Sequence, residues 1–119
     1  MRALISVYNK DGLDKLCKTL DSAECDIYST GGTLDYIKNL GINVTGPVSP
    51  DTSFMIFKEK KFDVLIGMYH DQVLTPFKAL FKFNAINITL GLSFLRTSPD
   101  HGVAKNIVSK KKANSESLI

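Results

Sequence analysis

The chain has 119 residues, of which 44% are apolar and 23% charged, with a formal net charge of +3. This length fits one domain with its own hydrophobic core, so we predict a single domain over residues 1–119. No apolar run reaches the roughly 18 residues of a membrane span, and the small net charge does not favour nucleic acid. The two cysteines form no disulfide framework, and the amino terminus lacks a signal-peptide pattern. We therefore expect a cytoplasmic protein with neither a nucleic-acid nor a membrane partner.

Apolar spacing predicts strands and helices that alternate along the chain. Short apolar runs with β-branched members indicate strands, whereas apolar residues three and four positions apart indicate helices. On these grounds we predict strands at 3–7, 26–29, 42–44, 62–68 and 85–90, followed by an extended segment at 94–97. The predicted helices lie at 13–20, 34–40 and 51–60, from Thr75 and Pro76 onward, and at 101–111. Gly41 is expected to end the second helix, and Cys17 falls on the apolar stripe of the first.

The order of these elements predicts an α/β fold. Strands that are apolar throughout are typical of a parallel sheet covered by helices on both faces. Right-handed crossovers then give a three-layer, mainly parallel, doubly wound sheet of about five strands. Such sheets bind ligands at the carboxyl ends of their strands. An unpaired strand at the sheet edge would favour a homodimer.

A glycine-rich turn, Thr30-Gly31-Gly32-Thr33, joins the second predicted strand to a helix. Glycines at a helix amino terminus let backbone N–H groups approach an anion, and hydroxyl groups add donors. Lys10 follows the first strand and could add a positive charge at the same edge. The turn lacks both the GxGxxG pattern and the lysine of a P-loop. A tight turn capped by Thr30, with Lys10 in solvent, is therefore the alternative interpretation.

The two histidines are candidates for metal chemistry. His70 follows the fourth predicted strand, where its imidazole could bind a divalent metal with Asp71 as partner or further ligand. His101 could be a second ligand or an acid–base group. Because a metal site normally takes three protein ligands, a hydrogen-bonded His70 and a His101 at a helix start are the alternatives. No Ser-His-Asp or Cys-His arrangement is visible, so we assign no catalytic residue.

Three residues of the second half of the chain suit a phosphate group. Arg96 could bind phosphate in a fork, Lys78 would supply a point charge, and Asn87 would add a polar side chain. Because they are far apart in sequence, only the fold could bring them together.

The first 40 or so residues carry two motifs of a known family. Residues 2–13, then Tyr28-Ser-Thr-Gly-Gly-Thr and Gly41-Ile-Asn-Val44, resemble the start of the bifunctional purine-biosynthesis enzyme that has IMP cyclohydrolase and AICAR transformylase activities. That segment has a methylglyoxal-synthase-like fold. The resemblance implies nucleotide or phosphate contacts at Tyr8, Asn9, Lys10, Thr30, Gly31, Gly32 and Thr33.

Residues 41–119 are similar to a second family, the carboxyl-terminal part of 4-hydroxythreonine-4-phosphate dehydrogenase from pyridoxal phosphate biosynthesis. The matching motifs are Gly46-Pro-Val-Ser-Pro-Asp-Thr52, Met68-Tyr-His-Asp-Gln72, Asn87-Ile-Thr-Leu-Gly-Leu92 and Arg96-Thr-Ser-Pro-Asp-His-Gly102. The resemblance implies that Lys78, Asn87 and Arg96 contact the substrate and that His70 is a vestigial metal ligand. That family uses NAD and a divalent metal such as zinc.

Together the two resemblances suggest a chimera, a recombined α/β domain joined at residues 40–44. Such a chain would lack a complete catalytic site, and we expect it to bind no cofactor tightly. One alternative is a module that retains affinity for a small anionic ligand, such as phosphate or a nucleotide. Another is a fragment of the NAD- and metal-dependent dehydrogenase that is active only when an oligomer completes it.

Overall fold

The computed structural model describes residues 1–59, 61–110, 112 and 115, and the chain divides into two compact units, residues 1–76 and 77–119. The strands are β1 (Arg2–Ile5), β2 (Asp26–Ser29), β3 (Val44–Thr45), β4 (Val64–Ile66), β5 (Ile86–Thr89) and β6 (Arg96–Pro99). The helices are α1 (Leu13–Ser22), α2 (Gly31–Asn39), α3 (Ser53–Lys58) and α4 (His70–Phe81), followed by a short 3-10 helix, Lys105–Ile107. None of the helices in the described part of the chain is long and apolar enough to cross a membrane. The single domain over residues 1–119 stays a prediction.

The first unit is built on a four-stranded parallel sheet in the order β3-β2-β1-β4. From the central strand β1 the chain winds outward through β2 and β3, then returns to the other side of β1 to form β4. This reversal is the doubly wound arrangement, and it leaves a crevice between the carboxyl ends of β1 and β4. The predicted α/β fold with a parallel sheet is therefore confirmed, with four strands in that sheet.

The hydrophobic core of the first unit lies where α1 and α2 cover one face of this sheet. Ile5 and Ile27, from neighbouring strands, belong to one buried cluster with Leu13, Cys17 and Ile37 from the two helices. Residues four apart on a helix share one face, which explains why Leu13 and Cys17 point inward together. Gly41 has a φ of +75° just after α2, a left-handed conformation that suits glycine at the end of a helix.

The predicted fifth strand belongs to a different sheet. β5 pairs antiparallel with β6 in a separate two-stranded sheet of the second unit. The reason is the short connection, residues 90–95, between the two strands. A parallel neighbour needs a crossover of a dozen or more residues, whereas a short turn allows an antiparallel hairpin.

Two helix predictions were also wrong in their bounds. α4 begins at His70 rather than at Thr75, and Pro76 lies inside it. Asp71 in its first turn complements the helix dipole, which favours the earlier start. The helix predicted over 101–111 is reduced to Lys105–Ile107, because Ala104 has a left-handed backbone with φ of 46° that interrupts helical pairing. Residues 60 and 111, the predicted ends of two helices, lie outside the described residues.

Asp63 fastens β4 to β1 at the amino end of the sheet. Its carboxylate accepts a 2.7 Å hydrogen bond from the backbone N–H of Arg2, and its own N–H donates to the Arg2 carbonyl at 2.9 Å. The Arg2 guanidinium lies 3.4 Å from the same carboxylate. The backbone N–H of Arg2 first, and then its side chain, lower the pKa of the Asp63 carboxyl.

Replacing Asp63 by asparagine should therefore cost stability in a pH-dependent way. A carboxyl whose pKa is lower in the folded chain than its unfolded value of about 3.9 contributes stability above that value and loses it as pH falls through the folded pKa. Urea unfolding should show the unmodified chain to be more stable than Asp63→Asn near neutral pH, with the gap closing in acid. Asp35→Asn, on the exposed face of α2, is the matched control. A pH-independent gap would contradict this account.

Both cysteines are free thiols buried in the first unit, as predicted for Cys17 and Cys25. Burial raises the pKa of the Cys17 thiol, and the Asp14 carboxylate raises it further. Because the thiolate is the reactive form, this environment disfavours attack by Cys17 on an electrophile.

Thiol labelling tests that environment. In a Cys25→Ser background, Cys17 should react with a disulfide reagent on the order of 100-fold more slowly in the folded chain than in urea, because the side chain must wait for an opening event. Equal rates in buffer and in urea would show that Cys17 is accessible in the folded chain.

Candidate functional site

Lys10 and Thr33 meet at the carboxyl end of β1. The Lys10 ammonium donates hydrogen bonds to the carbonyls of Val7 at 2.6 Å and Tyr8 at 3.0 Å, and lies 3.4 Å from Thr33 Oγ1. The Thr33 hydroxyl in turn donates to the Val7 carbonyl at 2.9 Å. The structure thus joins the two predicted motifs of the first 40 residues, with the lysine turned onto its own loop.

α2 begins at Gly31, inside the glycine-rich turn and three residues before the helix predicted at 34–40. Thr30 stands at the N-cap position, but its hydroxyl lies 3.0 Å from Ser6 Oγ and makes no hydrogen bond to the helix N–H groups. A Cβ built on Gly31 or Gly32 would have no neighbouring atom within 4 Å. Packing therefore does not require glycine at these two positions, and the space over the helix amino terminus is open.

The remaining two residues of the first motif stay at the surface. Tyr8 is 86% exposed. Asn9 closes a local turn with Asp11, because its Nδ2 donates to Asp11 Oδ2 and its Oδ1 accepts from the Asp11 N–H, both at 3.0 Å. The Asn9 side chain is thus occupied within its own loop.

Gln72 bridges the crevice between β1 and β4. Its Nε2 donates to the Ser6 carbonyl at 3.2 Å, and its Oε1 accepts from the Met68 N–H at 3.1 Å. A Cβ on Gly67 would overlap the side chain of Val73, so glycine at this position lets Val73 and Gln72 pack closely against the turn after β4. Sequence reasoning missed Gln72, although its place directly after a predicted strand, beside His70, was a usable signal.

A small cavity of about 100 Å³ lies beside this bridge. Its lining includes Leu4, Phe54 and Leu65, with Ser53 as a polar contribution. The Ser53 hydroxyl already donates to the Pro50 carbonyl at 2.7 Å, so this cavity offers a ligand mainly apolar contacts.

His70 is placed at the start of α4 with its predicted partner. Its Nδ1 lies 2.7 Å from Asp71 Oδ1, and both side chains are more than three-quarters exposed. This contact leaves Nε2 as the nitrogen with which His70 could bind a metal. His101 belongs to the second unit, where its Nδ1 lies 2.9 Å from the Gly102 carbonyl oxygen. No group of three or more metal-binding side chains occurs among the residues that the structure describes.

The hairpin β5–β6 carries two of the predicted phosphate contacts on one face. In its register Asn87 is opposite Ser98, and Thr89 is opposite Arg96. Because side chains alternate along a strand, these four residues share a face, and Ile88 lies on the other. The Arg96 guanidinium donates to Thr89 Oγ1 at 2.9 Å.

Lys78, the third predicted contact, reaches the same face through Asp100. The Asp100 N–H, directly after β6, donates to the Ala85 carbonyl at 3.1 Å, so this residue is held next to the start of β5. The Lys78 ammonium donates to the Asp100 carbonyl at 2.6 Å and lies 3.4 Å from its carboxylate. The second unit thus holds Asn87 and Arg96 on one face of the hairpin and attaches Lys78 to Asp100, the residue that follows β6.

Comparison with known proteins identifies relatives of most of the chain. A family model described as "Pyridoxal phosphate biosynthetic protein PdxA" matches residues 28–119. The 4-hydroxythreonine-4-phosphate dehydrogenase of Enterobacter agglomerans is 48% identical over 85 residues, which cover 71% of this chain and 81% of that protein. The enzyme of the same name from Xanthobacter autotrophicus is 46% identical over 86 residues, which cover 72% of this chain and 25% of the relative.

A solved structure gives a similar result. The crystal structure of 4-hydroxythreonine-4-phosphate dehydrogenase from Klebsiella pneumoniae aligns with 98% of this chain and 34% of its own, with 36% identity and a TM-score of 0.51. The chain thus spans about a quarter of the Xanthobacter relative and a third of this structure. These comparisons give no support for a purine-enzyme origin of residues 1–40. The chain belongs to the PdxA family of pyridoxal phosphate biosynthetic proteins, as the resemblance of residues 41–119 predicted.

Proposed function

We propose that this chain carries the phosphate-binding part, and one metal-contacting side chain, of a 4-hydroxythreonine-4-phosphate dehydrogenase, and that turnover requires further polypeptide of that family. The observation that carries the proposal is the shared polar face of the hairpin. The family resemblance links Lys78, Asn87 and Arg96 to the substrate; Asn87 and Arg96 lie on that face, and Lys78 contacts Asp100 directly after β6.

This face has the chemistry of a phosphate site. A guanidinium offers two parallel N–H donors to phosphate oxygens, an ammonium offers a compact charge, and an amide N–H adds a neutral donor. Arg96 begins β6 and Asp100 follows its last residue, about 13 Å away at the rise of an extended strand, so Arg96 and the Lys78 contact lie toward opposite ends of the hairpin. Asn87 and Ser98 lie between those ends.

The described residues supply only part of a metal-dependent dehydrogenase site. The family resemblance implies NAD and a divalent metal such as zinc. His70, oriented by Asp71, fits the role of one metal ligand, but the described residues do not form a complete metal site. We infer that the remaining ligands and the NAD contacts come from additional polypeptide, so no step of the reaction is assigned to this chain alone.

The apolar face of the hairpin supports the need for such a partner. Ile86 and Ile88 are 52% and 47% exposed on the side opposite the polar face. A two-stranded sheet is marginally stable in water unless its apolar face is covered. The covering polypeptide would be another copy of this chain or the rest of a longer family member.

A complementation assay tests the proposal. The chain alone should not reduce NAD with 4-phosphohydroxythreonine, whereas mixing it with the Klebsiella pneumoniae enzyme lacking the corresponding region should restore NADH formation. Lys78→Ala and Arg96→Ala should each lower the restored kcat/KM by about 10- to 100-fold, since each removes one charge-assisted hydrogen bond. Lys18→Ala, exposed on α1, is the control.

Two results would contradict it. Turnover by this chain alone would show that its site is complete. Full restoration by Lys78→Ala or Arg96→Ala would show that the polar face does not bind the substrate.

A second proposal concerns the first 40 residues: a recombined segment, related to the purine-biosynthesis enzyme, that keeps a phosphate or nucleotide site. Two observations favour it. The Lys10 ammonium lies 3.4 Å from Thr33 Oγ1, and a Cβ on Gly31 or Gly32, in the first turn of α2, would meet no atom within 4 Å.

Alanine substitutions at the two helix glycines separate binding from stability. Gly31→Ala and Gly32→Ala should leave the chain as stable or up to about 1 kcal/mol more stable, because alanine favours the helix and nothing blocks its methyl group. The same methyl groups should weaken binding of phosphate or IMP, measured by amide NMR shifts. Gly102→Ala, in the other unit, is the control. If millimolar phosphate and IMP leave the Gly31 and Gly32 amides of the unmodified chain unmoved, the second proposal fails.

A further inference from the structure

The ion pair between Lys78 and Asp100 is more buried than the other ion pairs resolved in the described residues. Its side chains are 35% and 18% exposed, and every side chain of the pairs Arg2–Asp63, Lys61–Glu59 and His70–Asp71 is at least 40% exposed. Screening by water is correspondingly weaker for the Lys78–Asp100 pair. An acidic side chain is thus built into the face that the proposed function gives to a phosphate.

The two contacts of Lys78 have different roles. The 2.6 Å hydrogen bond goes to the Asp100 main-chain carbonyl, so any residue at position 100 could provide it. The Asp100 carboxylate is farther from the Lys78 ammonium, at 3.4 Å. Its main effect on Lys78 is therefore electrostatic, whereas the carbonyl holds the ammonium in place. An ammonium has three donors, so at least one stays available for another anion.

The Asp100 carboxylate would also lie close to a ligand that binds Lys78. Asp100 follows β6 directly, and its carboxylate lies 3.4 Å from the Lys78 ammonium. An anion that contacts Lys78 would approach the Asp100 carboxylate and be repelled by it. Two positive charges and one negative charge thus define the face.

We propose that Asp100 is a specificity-determining residue that competes with the incoming phosphate for Lys78. This inference rests on the proposed function. The competition lowers affinity for anions that reach Lys78 alone. A phosphate that also engages Arg96 and Asn87 has enough contacts to displace the carboxylate. Asp100 therefore sets how many contacts an anion must make before the face binds it.

The test is a phosphate titration of the full chain followed by NMR. Asp100→Asn keeps the carbonyl contact and nearly the same shape but removes the charge, so inorganic phosphate should bind about three- to tenfold more tightly, as expected for one unit charge several ångströms away in a partly aqueous setting. Added salt should shrink this gain. Asp100→Glu restores the charge and should return the affinity toward the original value. Asp35→Asn, which removes one charge from exposed α2, should have no effect.

A measurement on the unmodified chain keeps the test independent of how the variants fold. The Asp100 carboxyl carbon signal should move during the titration with the same dissociation constant as the Asn87 side-chain signal, because phosphate displaces the carboxylate from Lys78.

The outcomes separate the two claims. If phosphate moves the Asn87 and Arg96 signals but Asp100→Asn binds no more tightly, or the Asp100 carboxyl signal stays still, the role of Asp100 is overturned and the proposed function stands. If phosphate moves no signal of this face in either the unmodified chain or Asp100→Asn, both are overturned.

Discussion

The antiparallel register of β5 with β6 is the constraint on which the candidate site depends. Asn87 opposite Ser98, and Thr89 opposite Arg96, put the polar side chains on one face and Ile86 and Ile88 on the other. A slip of the pairing by one residue would move Asn87 and Arg96 to opposite faces. The Asp100–Ala85 hydrogen bond continues the pairing past β6 and holds the residue whose main-chain carbonyl accepts from Lys78. The pairing pattern therefore determines where Asn87 and Arg96 lie, and it fixes the residue that Lys78 contacts.

In the first unit, by contrast, the polar residues after the strands make hydrogen bonds within the fold. The Lys10 ammonium donates to the carbonyls of its own loop, and the Gln72 side chain joins the end of β1 to the turn after β4. These contacts hold the strand ends in place around the crevice where doubly wound sheets bind ligands. What stays open there is the amino terminus of α2 above Gly31 and Gly32.

The parts of the fold set by local pattern were predictable from the sequence. β2 forms where it was predicted, α1 forms on its apolar stripe, and Gly41 ends α2, because spacing and glycine chemistry act over a few residues. The partner of β5 was not predictable in this way, since an apolar run does not specify whether its neighbour is parallel or antiparallel. The helix predicted from residue 101 failed for a local reason, the left-handed backbone at Ala104.

The candidate site was likewise only partly predictable from the sequence. Residue types and family resemblance pointed to Lys78, Asn87 and Arg96, but the shared face of Asn87 and Arg96 follows from a strand register that no motif specifies. Asp100 and Gln72 were overlooked because each acts partly through main-chain groups, which any sequence has at any position.

The central claim is that one face of the second unit binds the phosphate of the ligand. The most direct measurement is an NMR titration of the whole chain with O-phosphothreonine, a small hydroxy amino acid phosphate. We expect the side-chain signals of Lys78, Asn87 and Arg96 to move together with a single dissociation constant. Separate dissociation constants for the three, or movement confined to the amino terminus of α2, would contradict the account.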